Sequence, residues 1–297
     1  MSIDLHIHTK TCSDGRWPLP DVIRECRNRG LAYISITDHD SIDCQESARR
    51  LALDYGIHYL TGVELNVSVS HPRYRKGKPA SLDALGYGFD PENGPLREKL
   101  RALREYRKAR AQKILENINR EFQARGLPLF TGKDLAAIEE TVDGAFGRPH
   151  IASYLVKKKI VSSRQEAFDQ YLVRCDVPKM PLSIKEASEL IRGAGGKLVL
   201  AHPNDPNGTS LISFTSSIEE QFDIIREIIL PHIDGVECWH SRHDRATRTA
   251  YLAFARQEGL IVTGGSDCHQ NPPIMGSVKI PRYVTEQFRF DGPSSSP

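Results

Sequence analysis

Short apolar runs in this chain end, one after another, in His, Asp or Glu. Residues 3–9 alternate in polarity with a strand's period of two and carry His6 and His8. Residues 31–37 run into Asp38-His39-Asp40, residues 57–63 into Glu64, and residues 196–201 into His202. The run at 260–263 leads into Gly265-Ser266-Asp267-Cys268-His269. Strands are also expected at 84–89 and 233–239, and helical spacing fills the intervals at 19–29, 41–55, 184–194, 222–230 and 247–258. Strands alternating with helices through short connections predict an α/β fold, and about seven such repeats predict a closed barrel. In a parallel barrel all the carboxyl ends lie on one face, so these polar residues are expected to converge.

The rhythm breaks between residues 95 and 180. A long charged helix is expected at 97–125, with shorter ones at 134–140, 148–158 and 163–172. The expected organisation is therefore a discontinuous barrel of residues 1–94 and 181–290, a helical insertion or cap subdomain at 95–180, and a disordered tail at 291–297. The chain has 297 residues, 39% hydrophobic and 26% charged, enough for a substantial core without covalent staples. No run reaches the roughly 18 apolar residues of a membrane helix, and no secretory signal is visible at the start. The six cysteines form no CxxC pair and read as reduced thiols, so a cytoplasmic protein is expected. Forty basic against 38 acidic residues exclude a histone-like or acidic-tail protein. The long helix is different: ten basic and four acidic residues give segment 97–125 a charge of +6. A solvated face is the ordinary meaning of such a run, and steering of an anionic substrate is the functional one. Its aromatics, Tyr106 and Phe122, are too sparse for a base-stacking track.

The chemistry follows from the residue types. Two histidines at i and i+2 of a strand share a face and can reach one cation. An isolated His-x-His usually means nothing, and Asp14 in Ser-Asp-Gly could be only a turn residue. Five strand ends carrying metal-ligand types are a different matter, and they predict a metal site. Mixed imidazole and carboxylate donors suit borderline divalent ions such as Mn²⁺, Fe²⁺ or Zn²⁺ and leave positions open for substrate.

Taken together, HIH, the following SDG, TDHD, GVE, the insert's GRPH, GGKLVLAHP and GSDCH resemble the PHP family of metal-dependent phosphoesterases over almost the whole chain. Within it the chain looks like the TrpH-like group, whose members act on nucleotides and RNA 5′ ends. The resemblance implies a distorted (β/α)7 TIM-like barrel with the helical insertion and two to three divalent ions. Carried over, His6, His8, Glu64 and Asp267 would hold one metal, and Asp14, His39 and His269 a second. Glu64 would bridge to a third, completed by His202 and a residue ahead of the LGY segment. There the family usually has His, and this chain has Asp83, which suits harder ions. Alternatively Asp83 points elsewhere and the third site is weak.

The expected activity is hydrolysis of phosphomonoesters of small nucleotides by a metal-bound hydroxide. Substrates would be a 3′,5′-bisphosphonucleotide or a nucleoside monophosphate, with short 5′-phosphorylated oligoribonucleotides as a further class. Arg148 and His150 of GRPH are the expected substrate contacts, against the plainer reading of a helix cap and local packing. His243 is expected to bind phosphate or protonate the leaving group, and Asp267 to serve catalysis as well as the metal. Arg242 and His240, in the same loop, are weaker candidates. Cys268 alternates away from its ligand neighbours and reads as structural. No membrane or obligate protein partner is expected. Histidinol-phosphate phosphatase and a non-catalytic metal-binding module are the alternatives. An amidohydrolase-type barrel, which also opens with His-x-His, fits TDHD and GSDCH less well.

Overall fold

The computed structural model describes residues 2–139, 148–178, 180–207 and 209–293. They form two compact units, Met1–Glu98 with Pro181–Pro297, and Lys99–Met180. The first unit holds eight strands: β1 (Ser2–Ile7), β2 (Leu31–Ile36), β3 (His58–Tyr59), β4 (Gly62–Val69), β5 (Ala80–Tyr87), β6 (Lys197–Leu200), β7 (Gly235–His240) and β8 (Ile261–Gly265). β1, β2 and β3 make a parallel three-stranded sheet, and β4 to β8 a five-stranded one in sequence order.

Two expectations change here. The single strand expected at 57–63 is divided at Leu60-Thr61, so β3 stays with the first sheet while β4 starts the second. The strand pairing also gives two open sheets rather than one closed barrel. β5 runs antiparallel to both β4 and β6, because residues 70–79 join β4 to β5 without a crossover helix. β6, β7 and β8 return to parallel pairing. Single parallel bridges join the sheets at both seams, Ile7 with Cys268 and His39 with Glu64. Both seams lie at ends of strands that carry the sequence's metal-ligand types.

The helices of this unit cover the outer faces. α1 (Leu19–Asn28) buries Leu19, Val22, Ile23 and Cys26, and α2 (Gln45–Asp54) buries Ala48 and Ala52, in one core with Ile7, Ile34, Ile36 and Tyr59. Each large aliphatic side chain so buried contributes about 1.5–3 kcal/mol. The second unit contains α3 (Gly94–Ala124) from its sixth residue onward, α4 (Gly132–Glu139), α5 (Arg148–Lys157) and α6 (Arg164–Ala167), which continues as a π-helical turn over Phe168–Leu172. Its own core includes Ile118, Phe122, Ile151, Leu155 and Tyr171. Back in the first unit come α7 (Ile184–Gly193), α8 (Ile218–Ile224) and α9 (Arg245–Glu258). Ser183 caps α7 through the Glu186 N–H at 3.1 Å, and Asp244 caps α9 through the Thr247 N–H at 2.7 Å. Gly147 of GRPH, Glu140 at the end of one expected helix and residues 294–297 of the expected tail lie outside the described residues. No helix among the described residues is long and apolar enough to cross a membrane.

Candidate metal centre

Most of the donors gather where strands end, but Glu64 is the third residue of β4 and Asp83 the fourth of β5, so Glu64 stands near the start of a strand and not past the end of one as expected. His6 is in β1 and His8 just beyond it, both pointing to one side as their spacing requires, and both are buried. Gly265 permits the approach of β8, since a Cβ there would lie 2.2 Å from His6 Cβ and 2.4 Å from its backbone nitrogen. Gly15 does the same for the turn carrying Asp14, where a Cβ would meet the His8 carbonyl oxygen at 2.5 Å. Glu64 is fully buried in β4, and Asp267 lies just past β8 with a backbone φ of 55°. His202, past β6, has a φ of 22°. Non-glycine residues held at positive φ cost about 1–3 kcal/mol each, and such strain concentrates at functional sites.

Glu64 is the meeting point. Its Oε2 lies 3.3 Å from His6 Nε2, 3.2 Å from His8 Nε2 and 3.1 Å from His39 Nδ1, and its Oε1 lies 3.0 Å from His202 Nε2. Asp267 Oδ1 is 3.4 Å from both His6 Nε2 and His8 Nε2. Three donor groups result, each with its ligand atoms within 4.8 Å of one another: His6, His8, Glu64 and Asp267; His8, Asp14, His39 and His269; and Glu64, Asp83 and His202. Asp14 Oδ1 stands 3.0 Å from His269 Nε2 and 3.8 Å from His39 Nε2. All nine residues expected to bind metal are thus found in these three groups.

Asp83 sits opposite Asn66 in the β4–β5 ladder, two pairs along from Glu64 and so on the same face, which brings it to the third group. Its carboxylate accepts from Asn66 Nδ2 at 2.7 Å and from the Thr209 hydroxyl, and lies 4.0 Å from His202 Nε2. Burial, and next the charge of Glu64, raise its pKa to about 6.

The electrostatics describe a site built around positive charge. Burial works against ionised Glu64 and Asp267, yet the surrounding imidazoles outweigh it and hold both well below the usual carboxylate range. Conversely, burial disfavours a charged His202, but Glu64 and Asp83 push it up to about 9, and His6 and His269 are likewise raised well above an ordinary imidazole. Meanwhile Glu64 Oε2, His6 Nε2 and both ring nitrogens of His8 are buried without a hydrogen-bond partner. A buried polar atom left unsatisfied costs about 1–3 kcal/mol, and coordination to a divalent ion would satisfy these. The donor set fits such ions. Mn²⁺ supplied at about a hundred times its dissociation constant should therefore stabilise the fold by about 2.7 kcal/mol. That corresponds to a Tm increase of about 5–10 °C, reversed by chelator, in differential scanning fluorimetry.

A further shell was not legible as such. Glu237 is fully buried in β7; its Oε1 lies 3.0 Å from His6 Nδ1 and its Oε2 accepts the His202 N–H at 2.8 Å. His240 Nε2 lies 3.4 Å from Asp267 Oδ2. Residues 237 and 240 would face opposite sides of a regular strand. The β7–β8 register shifts between Glu237 and Trp239, and that irregularity lets Glu237 and His240 join His6 in one group. The available signal is that Glu237 is, with Asp234, one of two acids inside the run 233–239.

The other expected residues are placed differently. In the second unit, Arg148 Nη1 binds Asp176 Oδ2 at 2.7 Å, Arg110 binds the same carboxylate, and the Arg148 guanidinium stands over the Phe168 ring. His150 lies in the first turn of α5 and is partly buried. These contacts give Arg148 a structural partner and are in keeping with local packing. His243 is buried in the first unit; its Nδ1–H is set to donate to the Cys238 carbonyl at 3.1 Å, while Nε2 has no partner. Burial lowers its pKa to about 4, which favours the neutral ring near pH 7. Cys268 is buried, and its sulfur accepts the Ile274 N–H at 3.3 Å, a structural arrangement.

An α/β scaffold on which imidazoles and carboxylates converge in this way defines a candidate centre for divalent metal ions. Residues 4–123 match the PHP domain. It is 29% identical to the 3′,5′-nucleoside bisphosphate phosphatase of Chromobacterium violaceum, over 90% of this chain and 87% of that protein. It is 28% identical to the 5′-3′ exoribonuclease Rnm of Escherichia coli, over 91% and 86% respectively. Among solved structures, one from Bifidobacterium adolescentis assigned as a metal-dependent phosphoesterase superposes with a TM-score of 0.72 at 26% identity, covering 96% of this chain and 94% of that one. A Chromobacterium violaceum structure named as an amidohydrolase with bound sulfate and no metal gives 0.73 at 26% identity, covering 99% of each chain.

Proposed function

We propose that this chain is a metal-dependent phosphoesterase that removes phosphate from small nucleotides, 3′,5′-bisphosphonucleotides or nucleoside monophosphates, with short 5′-phosphorylated RNA as a further substrate. The observation that carries the reading is the position of Glu64, within 3.3 Å of four imidazoles that belong to three donor groups. The substrate class rests on the named activities of the two relatives.

His6, His8, Glu64 and Asp267 would hold one ion, Asp14, His39 and His269 a second, and Glu64, Asp83 and His202 a third. The chemistry such ions supply when bound is neutralisation of phosphoryl oxygens and acidification of water, which phosphate monoesters need because their uncatalysed hydrolysis is extremely slow. The chain's own residues prepare the site. Glu237 fixes the ring of His6 and the backbone of His202, and Asp38 fixes the loop after His8 by accepting from Thr9 N at 2.7 Å and Thr9 Oγ1 at 2.8 Å. Strand ends on a packed sheet hold the donors with little freedom. Arg148 and His150 remain substrate candidates on the GRPH motif, and His243 on its place in the loop after β7.

Because Asp83 shares its oxygens with Asn66 and Thr209, the third ion is the weakest held. Asp83→Ala should lower metal content by about one equivalent while the other two sites stay filled, as read by inductively coupled plasma mass spectrometry. Unchanged content would remove Asp83 from the site. The activity is tested by phosphate release from adenosine 3′,5′-bisphosphate, AMP, a short 5′-phosphorylated RNA and histidinol phosphate with Mn²⁺, Fe²⁺ or Zn²⁺. Turnover of the nucleotides above histidinol phosphate supports the reading, and no turnover of any ester with any metal sinks it.

A further inference from the structure

An arginine on a surface loop is normally mobile, and an exposed ion pair to it is worth little. Arg242, between β7 and α9, is different. Its Nη1 contacts the carboxylate of Asp205, which is fully buried. Asp205 is itself fixed three ways: its N–H donates to the His202 carbonyl at 3.0 Å, its Oδ1 accepts the Asn207 N–H at 2.9 Å, and its carbonyl accepts the Ser210 hydroxyl at 2.6 Å. The anchor is thus part of the loop that begins at the candidate ligand His202. At the other end of the guanidinium, Nη2 lies 3.6 Å from Asp267 Oδ2, within ion-pair range and beyond hydrogen-bond length. The side chain is 40% exposed.

One edge of a planar, permanently charged fork is therefore clamped, and the rest stands beside the donor cluster with access to solvent. Among the described ion pairs, Arg242 is the arginine or lysine brought to Glu64, Asp83 or Asp267. A cluster of buried carboxylates repels a phosphate dianion, and a fixed guanidinium at its edge offsets that repulsion while offering paired donors to non-bridging oxygens. Holding the arginine in place beforehand removes most of the side-chain entropy that binding would otherwise cost.

We propose that Arg242 binds the phosphoryl group undergoing hydrolysis and that Asp205 is the positioning residue that holds its guanidinium there. This rests on the phosphoesterase reading, and it places a phosphate contact in the first unit, on a residue outside the GRPH motif.

The test uses the full chain loaded with Mn²⁺. Inorganic phosphate affinity is measured by titration calorimetry, alongside steady-state kinetics and metal content. Arg242→Ala should weaken phosphate binding about 10- to 100-fold, as loss of charged hydrogen bonds does, with metal content unchanged. Arg242→Lys should recover only part of that affinity, because an ammonium restores charge but not the fork. Asp205→Asn should weaken phosphate binding in the same direction, with a larger effect on KM than on kcat. Phosphate affinity of Arg242→Ala within twofold of the wild type would overturn the proposal, as would loss of metal in step with loss of phosphate, or a wild-type protein that binds no phosphate. Should the wild type bind phosphate through Arg242 yet hydrolyse no ester, the anion site stands and the phosphoesterase reading falls.

Discussion

Glu64→Gln is expected to reduce phosphoester hydrolysis by about a thousandfold or more while the protein remains folded. The substitution keeps side-chain shape and removes one negative charge at the point where the three donor groups meet. An amide can coordinate through its oxygen, but it binds a divalent ion far more weakly than a carboxylate, and it cannot bridge two ions with both ends. Metal content should fall by more than one equivalent, which separates Glu64 from a residue serving a single site. In metal-free protein the same change relieves part of the charge, but leaves raised imidazoles at His6 and His202 with one counter-charge fewer. Circular dichroism should therefore show a folded protein with a modestly altered melting temperature. Full metal content with retained turnover would show that the convergence on Glu64 is not the working site. Asp267→Asn and His39→Ala should also abolish activity, through loss of one site each.

The sequence made the donors legible because strand ends leave a mark that survives without alignment. His6 and His8 lie two apart, and the later apolar runs stop at a His, Asp or Glu or, after 260–263, reach one within four residues. The register that brings them together was not legible. The division of the sheet at Leu60-Thr61 and the antiparallel pairing of β5 were not readable, because no periodicity in residues 57–89 distinguishes one long run from a broken one. Hydrogen-bond pairing, and therefore barrel closure, depends on contacts between distant segments that local pattern does not encode. Glu237 escaped, and His240 was read only as a weaker loop candidate, for a related reason. Strict alternation puts them on opposite faces, and only the irregular β7 backbone brings both to His6. Arg242 gained its place from Asp205, thirty-seven residues away in the chain. For His243 the sequence suggested a phosphate contact or a proton donor, and what it did not show is the burial beside the Cys238 carbonyl that lowers the ring's pKa.

Glu237→Ala should be the most damaging change outside the proposed ligands. The carboxylate is fully buried, and both oxygens are used, one toward His6 Nδ1 at 3.0 Å and one by the His202 N–H at 2.8 Å. Burial opposes its ionisation, but the His6, His240 and His202 imidazoles hold its pKa below the ordinary value. Removing it frees the His6 ring to rotate, leaves the His202 N–H without an acceptor, and opens a cavity under the strand ends. Loss of a carboxylate that orients a ligating histidine typically costs about 10- to 100-fold in metal affinity. Breaking a buried pair by deleting one partner costs about 3–5 kcal/mol of stability, here chiefly in metal-free protein, where His6 is the charged partner left behind. Glu237→Gln separates the two contributions. The amide oxygen can still accept from one partner and the cavity is avoided, so stability should largely recover. Metal affinity should recover only in part, since a neutral amide does not strengthen His6 as a donor. Metal titration monitored by calorimetry, together with chemical denaturation of metal-free protein, reads each effect separately. Equal metal affinity in Glu237→Ala and the wild type would mean that His6 is oriented by β1 and β8 alone.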